Sequence, residues 1–236
     1  MNGSGFQFGS IRGTTIRVET SFLILIAFFV LFSMQSGTPI EHALLWIPVV
    51  FLSVLLHELG HASILGLLRF GPSEIALAGM GGFTQNRRRS KPWQEVLVSL
   101  AGPITSFLLA ALAWWVLSAF PLATRDPMLR AFMPLMVRAN ISWGILNLLS
   151  VHPLDGGQAL RNFARIVVSE RTALLFSVWL SMLIGVPLVL WSLYQGQLFL
   201  AVIAGFLTVQ NYQEWKIVRS SFPHDSVPPG PSPPAP

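Results

Sequence analysis

His57, Glu58 and His61 are the residues whose types and spacing best fit a chemical role. Histidines at positions i and i+4 lie on one face of a helix, so both imidazoles can reach one metal ion. Glu58 follows the first histidine, and its carboxylate can accept a proton from a water molecule bound to that ion. The pattern predicts a hydrolytic metal centre. The alternative is a pair of buried histidines that are merely satisfied by hydrogen bonds.

The helix that must carry this motif is strongly apolar. Residues 43–56, which precede it, contain no Asp, Glu, Lys or Arg. Ionisable side chains inside a membrane are energetically costly, and those that occur there are usually functional. The setting therefore favours the metal site over the hydrogen-bonding alternative.

The composition is that of an integral membrane protein. Of the 236 residues, 53% are hydrophobic and 11% are charged, whereas soluble domains contain about 25% charged residues. We predict an all-α polytopic membrane protein of about six transmembrane helices, which occupy residues 21–220 as one integral membrane domain. Residues 1–20 are predicted to form a cytoplasmic arm, and the Pro-rich residues 221–236 a disordered cytoplasmic tail.

Hydrophobic runs place the six predicted spans and one interfacial helix. The spans are 21–36, 40–68, 95–120, 131–149, 171–194 and 197–212, and the interfacial helix is 158–170. Most of the 15 Lys and Arg residues lie in the arm, in the loops 69–92 and 151–171, and after the last span. The positive-inside rule then predicts a multi-pass protein of the cell membrane with both termini in the cytoplasm. The metal motif is expected nearer the cytoplasmic face.

The loop between the second and third spans has a different character. Short apolar runs flank Gly79–Gly82, a pattern typical of a β-hairpin or looped sheet. Because this loop follows the helix that carries His57 and His61, Gly81, Gly82 and Phe83 are predicted to bind an extended peptide along a strand edge. The alternative is a plain connector. The basic run 87–91 is interpreted as a topology signal, and no nucleic-acid partner is expected.

A third metal ligand must come from another segment, because catalytic zinc normally has three protein ligands. The chain has no cysteine, so that ligand is His, Asp or Glu. Asp155 and His152 are the candidates, and the following Gly156-Gly157 favours Asp155 because it lets the backbone approach closely. The Asn147 amide is a candidate donor to the tetrahedral intermediate, or it makes a packing hydrogen bond.

These motifs resemble the site-2 protease family of intramembrane zinc metalloproteases. The resemblance covers most of residues 10–160, and its motifs are His57-Glu58-x-x-His61, Gly81-Gly82, Ala101-Gly102-Pro103 and Asn147…Pro153-Leu154-Asp155-Gly156. We assign the Ala101–Pro103 segment only a packing role. Ser150 stands where the family usually has proline, and no PDZ or CBS-type domain is visible, as in minimal members.

The resemblance implies the roles of the site residues. His57, His61 and Asp155 would bind one Zn²⁺ per chain, Glu58 would be the catalytic base, and Asn147 would help to position substrate. The implied substrates are membrane-embedded or membrane-tethered proteins cleaved in regulated intramembrane proteolysis. The lipid bilayer and a regulatory membrane protein are further expected partners.

Two other functions use the same residues. A divalent-metal transporter could use His57, His61 and Asp155 as a transit site, but transporters often show paired repeats, and no repeat is visible. A catalytically inactive scaffold would bind other membrane proteins, but it has no chemical need for Glu58.

Overall fold

A computed structural model describes residues 5–11, 13–70, 73–85, 90–120 and 125–221. Arg12, most of the basic run (Arg87–Arg89) and the Pro-rich tail lie outside the described residues. The elements in chain order are β1 (Gly5–Ile11), β2 (Thr14–Glu19), α1 (Thr20–Gln35), α2 (Ile40–Ala43), α3 (Trp46–Leu67), β3 (Glu74–Ala78), β4 (Gly81–Gln85), α4 (Pro92–Ala119), α5 (Pro127–Leu148), α6 (Asp155–Val167), α7 (Glu170–Tyr194) and α8 (Leu198–Ser221).

The predicted fold class is confirmed: a polytopic helical membrane protein with a short hairpin between the second and third predicted spans. Three helical segments of the described residues are long and apolar enough to cross a membrane: Ile40–Leu67, Pro92–Ala119 and Glu170–Tyr194. Helix α1 is apolar but has only 16 residues. Helices α5 and α8 match the other two predicted spans but include polar positions such as Arg138 and Glu214. The count of six spans is therefore not confirmed.

The predicted hairpin is confirmed as β3 and β4, and it is part of a larger sheet. The strand order is β1-β2-β3-β4, with β2 parallel to β3 and the other pairs antiparallel. Residues 5–19, which we predicted as an arm, supply the first two strands. In β2, Ile16 and Val18 are buried on one face, the two-residue alternation of a half-buried strand. Two alternating apolar residues are too few to distinguish a short strand from an irregular arm in the sequence.

Helix α3 lies at the centre of the molecule. On one side Val54 packs in a core with Phe22 of α1 and with Ile75 and Leu77 of β3. On the other side Val49 packs with Ala113 of α4 and Met136 of α5. This burial from both sides places the motif in the protein interior.

Pro48 does not interrupt this helix. A turn at residues 44–45 separates α2 from α3, and Pro48 is the third residue of α3. Proline is tolerated in the first turn because its missing N–H has no helical partner there. The turns that carry His57 and His61 are therefore regular.

Candidate metal centre

Three side chains from two helices converge at one point. His57 Nε2 lies 3.0 Å from Asp155 Oδ2, and His61 Nε2 lies 3.3 Å from the same oxygen. The two Nε2 atoms are 3.3 Å apart. The side chains are only 2%, 8% and 12% exposed, in the order His57, His61 and Asp155. The structure thus brings together the residues predicted as ligands and places them away from solvent.

Helix α4 fixes the orientation of both imidazoles. His61 Nδ1 lies 2.7 Å from the carbonyl oxygen of Val98, and His57 Nδ1 lies 2.9 Å from Ser106 Oγ. A carbonyl oxygen only accepts, so Nδ1 of His61 must donate. In the neutral ring this leaves the lone pair on Nε2, the atom that faces Asp155. Such a partner on the second nitrogen is the usual support for a metal-binding histidine.

The beginning of α6 delivers Asp155 to the histidines. Asp155 is the first residue of this helix. Gly156 lies against the end of α5, and Gly157 lies against the connecting segment at Val151 and His152. A Cβ on Gly156 would lie 2.1 Å from the Leu148 carbonyl oxygen, and one on Gly157 would lie 2.5 Å from the His152 nitrogen. Side chains at these positions would push α6 away. The close backbone approach predicted from Gly156-Gly157 is therefore present.

The rival candidate, His152, points elsewhere. Its Nε2 lies 3.5 Å from Glu214 Oε2 on α8. Burial lowers the pKa of His152, against the opposing effect of Glu214, and so favours the neutral imidazole. Of the two candidates for a third ligand, the structure places Asp155 beside the imidazoles.

The three donor atoms fit a zinc ion. With Zn–N bonds of about 2.0–2.1 Å, neighbouring ligand atoms of a tetrahedral site lie roughly 3.3 Å apart. The distances of 3.0, 3.3 and 3.3 Å agree with this spacing. Two imidazoles and one carboxylate are also a common ligand set of catalytic zinc.

Gly102 of α4 keeps the space in front of the two imidazoles open. A Cβ at this position would lie 2.3 Å from His61 Nε2 and 2.5 Å from His57 Nε2. These distances are close to metal–nitrogen bond lengths, so a methyl group there would compete with an ion for the same space. Our interpretation of Ala101–Pro103 as a packing segment was incomplete, because its central glycine borders the site.

The Glu58 side chain packs against strand β4. Its side chain is buried, and Thr84 Oγ1 donates a hydrogen bond of 2.8 Å to Glu58 Oε2. A Cβ on Gly82 would lie 2.6 Å from Glu58 Oε1. Residues 82 and 84 share one face of the strand because side chains alternate. Strand β4 therefore donates a hydrogen bond to one carboxylate oxygen, and the glycine at position 82 lets the Glu58 side chain pack against the strand.

The residues predicted to bind substrate lie on this strand. Gly81 has a φ of +119° and lies against Trp143, whose ring would be 2.6 Å from an added Cβ. Phe83 is 42% exposed on the opposite face from Gly82. The structure therefore places Gly82 against Glu58, with Gly81 and Phe83 on either side of it in β4. The role of these three residues toward a substrate stays a prediction.

Asn147 has a local partner. Its amide donates to the carbonyl oxygen of Trp143, one turn earlier in α5, over 3.0 Å. This is a bond within one helix, so it differs from the contact between helices that we considered as the alternative. The predicted contribution of Asn147 to catalysis stays a prediction.

The comparison with known families decides the assignment of the chain. The pattern of the family described as peptidase M50B-like matches residues 20–150, more than half of the sequence. The chain belongs to this family. The resemblance to site-2 proteases drawn from the motifs is thereby confirmed.

This M50B-like chain is similar to two curated relatives and to one solved structure. A zinc metalloprotease of Methanocaldococcus jannaschii is 28% identical over 213 residues, which are 89% of this chain and 60% of that protein. A protein of Synechocystis sp. is 26% identical over 227 residues, 88% of this chain and 59% of that protein. The chain thus spans about 60% of the length of these relatives.

The solved structure is the site-2 protease from Methanocaldococcus jannaschii. It aligns with a TM-score of 0.62 and 20% identity, and it covers 89% of this chain and 94% of that one. The match shows that the M50B-like chain shares its fold.

Sequence reasoning missed several residues that support the site. Ser106 lies four residues after Gly102, hence on the same face of α4, and this spacing could have indicated it. Thr84 could have been found from the alternation in β4 with Gly82. The Val98 carbonyl gives no sequence signal, because every residue has one.

Proposed function

We propose that this chain is an intramembrane zinc metalloendopeptidase that cleaves membrane-embedded or membrane-tethered proteins. One observation carries the proposal: the donor atoms of His57, His61 and Asp155 converge inside a membrane protein, and Glu58, which follows His57 in α3, is buried as well. The names of the relatives support zinc and proteolysis.

The three converging side chains would hold the ion, and α4 would keep the imidazoles oriented. When bound, Zn²⁺ supplies Lewis-acid chemistry that activates a water molecule and polarises the scissile carbonyl. Glu58 accepts the water proton at Oε1, the carboxylate oxygen beside Gly82, while Thr84 holds Oε2. The carboxyl group then passes the proton to the leaving amine.

An extended substrate segment would bind along strand β4. This strand ends the sheet order, so its second edge has no strand partner among the described residues. Gly81, Gly82 and Phe83 lie along that edge, and the backbone groups of alternate residues there point outward and can pair with a peptide. Because Gly82 lies against Glu58, a peptide paired there would pass close to the catalytic carboxylate. We place this site and both termini toward the cytoplasm, as the charge distribution predicts.

Removal of the metal tests this function. We expect the purified chain in nanodiscs to cleave a single-pass membrane reporter, to lose this activity on treatment with a zinc chelator, and to regain it with one equivalent of Zn²⁺. Mg²⁺ should not restore activity, because it binds poorly to imidazole ligands. The measurement is the cleavage rate together with the metal content of each sample.

Full cleavage by a preparation shown to contain no metal would contradict the proposal. Zn²⁺ flux into proteoliposomes without any cleavage would instead favour the transporter interpretation.

A further inference from the structure

The segment that leads to Asp155 is held by α7 and α8. The backbone N–H of His152 donates to Ser181 Oγ of α7 over 2.9 Å. The backbone carbonyl of His152 accepts a hydrogen bond from Asn211 Nδ2 of α8. Both backbone polar groups of one residue thus have side-chain partners on these two helices, three residues before Asp155.

A second set of contacts joins α8 to the segments before and after Asp155. Glu214 Oε2 faces the His152 imidazole, and Glu214 Oε1 accepts a hydrogen bond of 3.0 Å from Arg161 Nη1. Arg161 belongs to α6, the helix that Asp155 begins. Asn211 and Glu214, which lie one turn apart in α8, therefore contact the chain before and after Asp155.

The connection from His152 to Asp155 is short and tightly packed. The first turn of α6 lies so close to His152 and Val151 that a Cβ on Gly157 would be 2.5 Å from their backbone atoms. Asn211 is 1% exposed and Ser181 is fully buried. Because protein interiors are close-packed, a shift of His152 must displace the first turn of α6 and with it Asp155.

We propose that Asn211 and Ser181 are positioning residues, which hold the Asp155 carboxylate at the two imidazoles through the His152 backbone. The proposal rests on the proposed function in one respect: it takes Asp155 as a zinc ligand. It adds that α7 and α8 set the affinity of the metal site although neither contributes a ligand. Movement of these helices would then change metal binding.

Zinc affinity measures this effect directly. Asn211→Leu removes the amide at similar volume, and Ser181→Ala is a milder change on the second helix. Residues that orient metal ligands typically contribute 10–100-fold in affinity, so for these more distant ones we expect zinc Kd to rise about 10-fold and about 3-fold. Kd is measured on the full-length protein by competition with a chromophoric zinc chelator.

Two matched controls have similar local bonds but lie away from the Asp155 segment. Asn140 of α5 is fully buried and, like Asn211, donates to the carbonyl four residues earlier and to a group outside its own helix, here Ser53 Oγ of α3. Ser192 of α7 is fully buried and, like Ser181, donates to the carbonyl four residues earlier. Asn140→Leu and Ser192→Ala should leave zinc Kd within about 2-fold of the wild-type value.

A double-mutant cycle with Asp155→Ala separates positioning from general destabilisation. If Asn211 acts through Asp155, Asn211→Leu should not change the remaining zinc affinity of the Asp155→Ala protein. An equal loss in both backgrounds would overturn the proposal, as would unchanged affinity in both Asn211→Leu and Ser181→Ala. If Asp155→Ala itself has no effect on zinc Kd, the ligand assignment in the proposed function fails, and the positioning proposal fails with it.

Discussion

Glu58→Gln should abolish peptide cleavage without loss of the metal. The amide of glutamine cannot accept the water proton, yet its oxygen can still accept the hydrogen bond that Thr84 donates to Glu58. Loss of a general base typically lowers the rate roughly 10²–10⁴-fold. Glu58 is not among the three convergent ligand groups, so the zinc content should match the wild type. The measurement is the cleavage rate in nanodiscs, with metal analysis of the same sample.

Glu41→Gln is the matched control for this substitution. Glu41 is exposed on α2, and the same chemical change there should leave the cleavage rate unaltered. A Glu58→Gln protein that retains zinc and cleaves at a rate near wild type would show that another group takes the proton.

Gly102→Ala should remove the metal, although Gly102 is not a ligand. The added methyl group would lie 2.3 Å and 2.5 Å from the two Nε2 atoms, in the space where we expect the ion to bind. Because α4 also supplies the hydrogen-bond partners of both imidazoles, a shift of α4 that relieves the clash would disturb them. We expect zinc affinity to fall by about 100-fold, the upper end of the range for residues next to metal ligands. Cleavage should be lost in parallel.

Gly66→Ala controls for the replacement of a helical glycine. Gly66 lies in α3, five residues after His61, and an added Cβ there meets nothing within 4 Å. Its zinc content and cleavage rate should equal those of the wild type. Normal zinc affinity in Gly102→Ala would show that the ion does not bind in front of the imidazoles.

The parts of the site that sequence reasoning predicted are those that local geometry determines. The spacing of His57 and His61 places both on one helix face. Asp155 could be proposed because Gly156 and Gly157 permit a close backbone approach, and the structure shows that approach. The hairpin could be predicted because glycines separate two short apolar runs.

The parts of the fold and of the site that sequence reasoning did not predict depend on contacts between segments that are distant in the chain. Strand β2 joins β3 across residues 20–73, a pairing that no local pattern encodes. The roles of Gly102 and Thr84 depend on contacts with α3. Asn211 lies 59 positions from the His152 carbonyl that it contacts, and an asparagine among the polar residues of α8 gives no sign of its partner.

Zinc stoichiometry in three proteins tests the ligand set most directly: wild type, Asp155→Ala and His152→Ala. We expect one zinc per chain in the wild type and a large loss in Asp155→Ala, because the carboxylate lies 3.0 Å from His57 Nε2. His152→Ala should retain its zinc, since its backbone still contacts Ser181 and Asn211. Loss of zinc from His152→Ala together with its retention in Asp155→Ala would contradict the account.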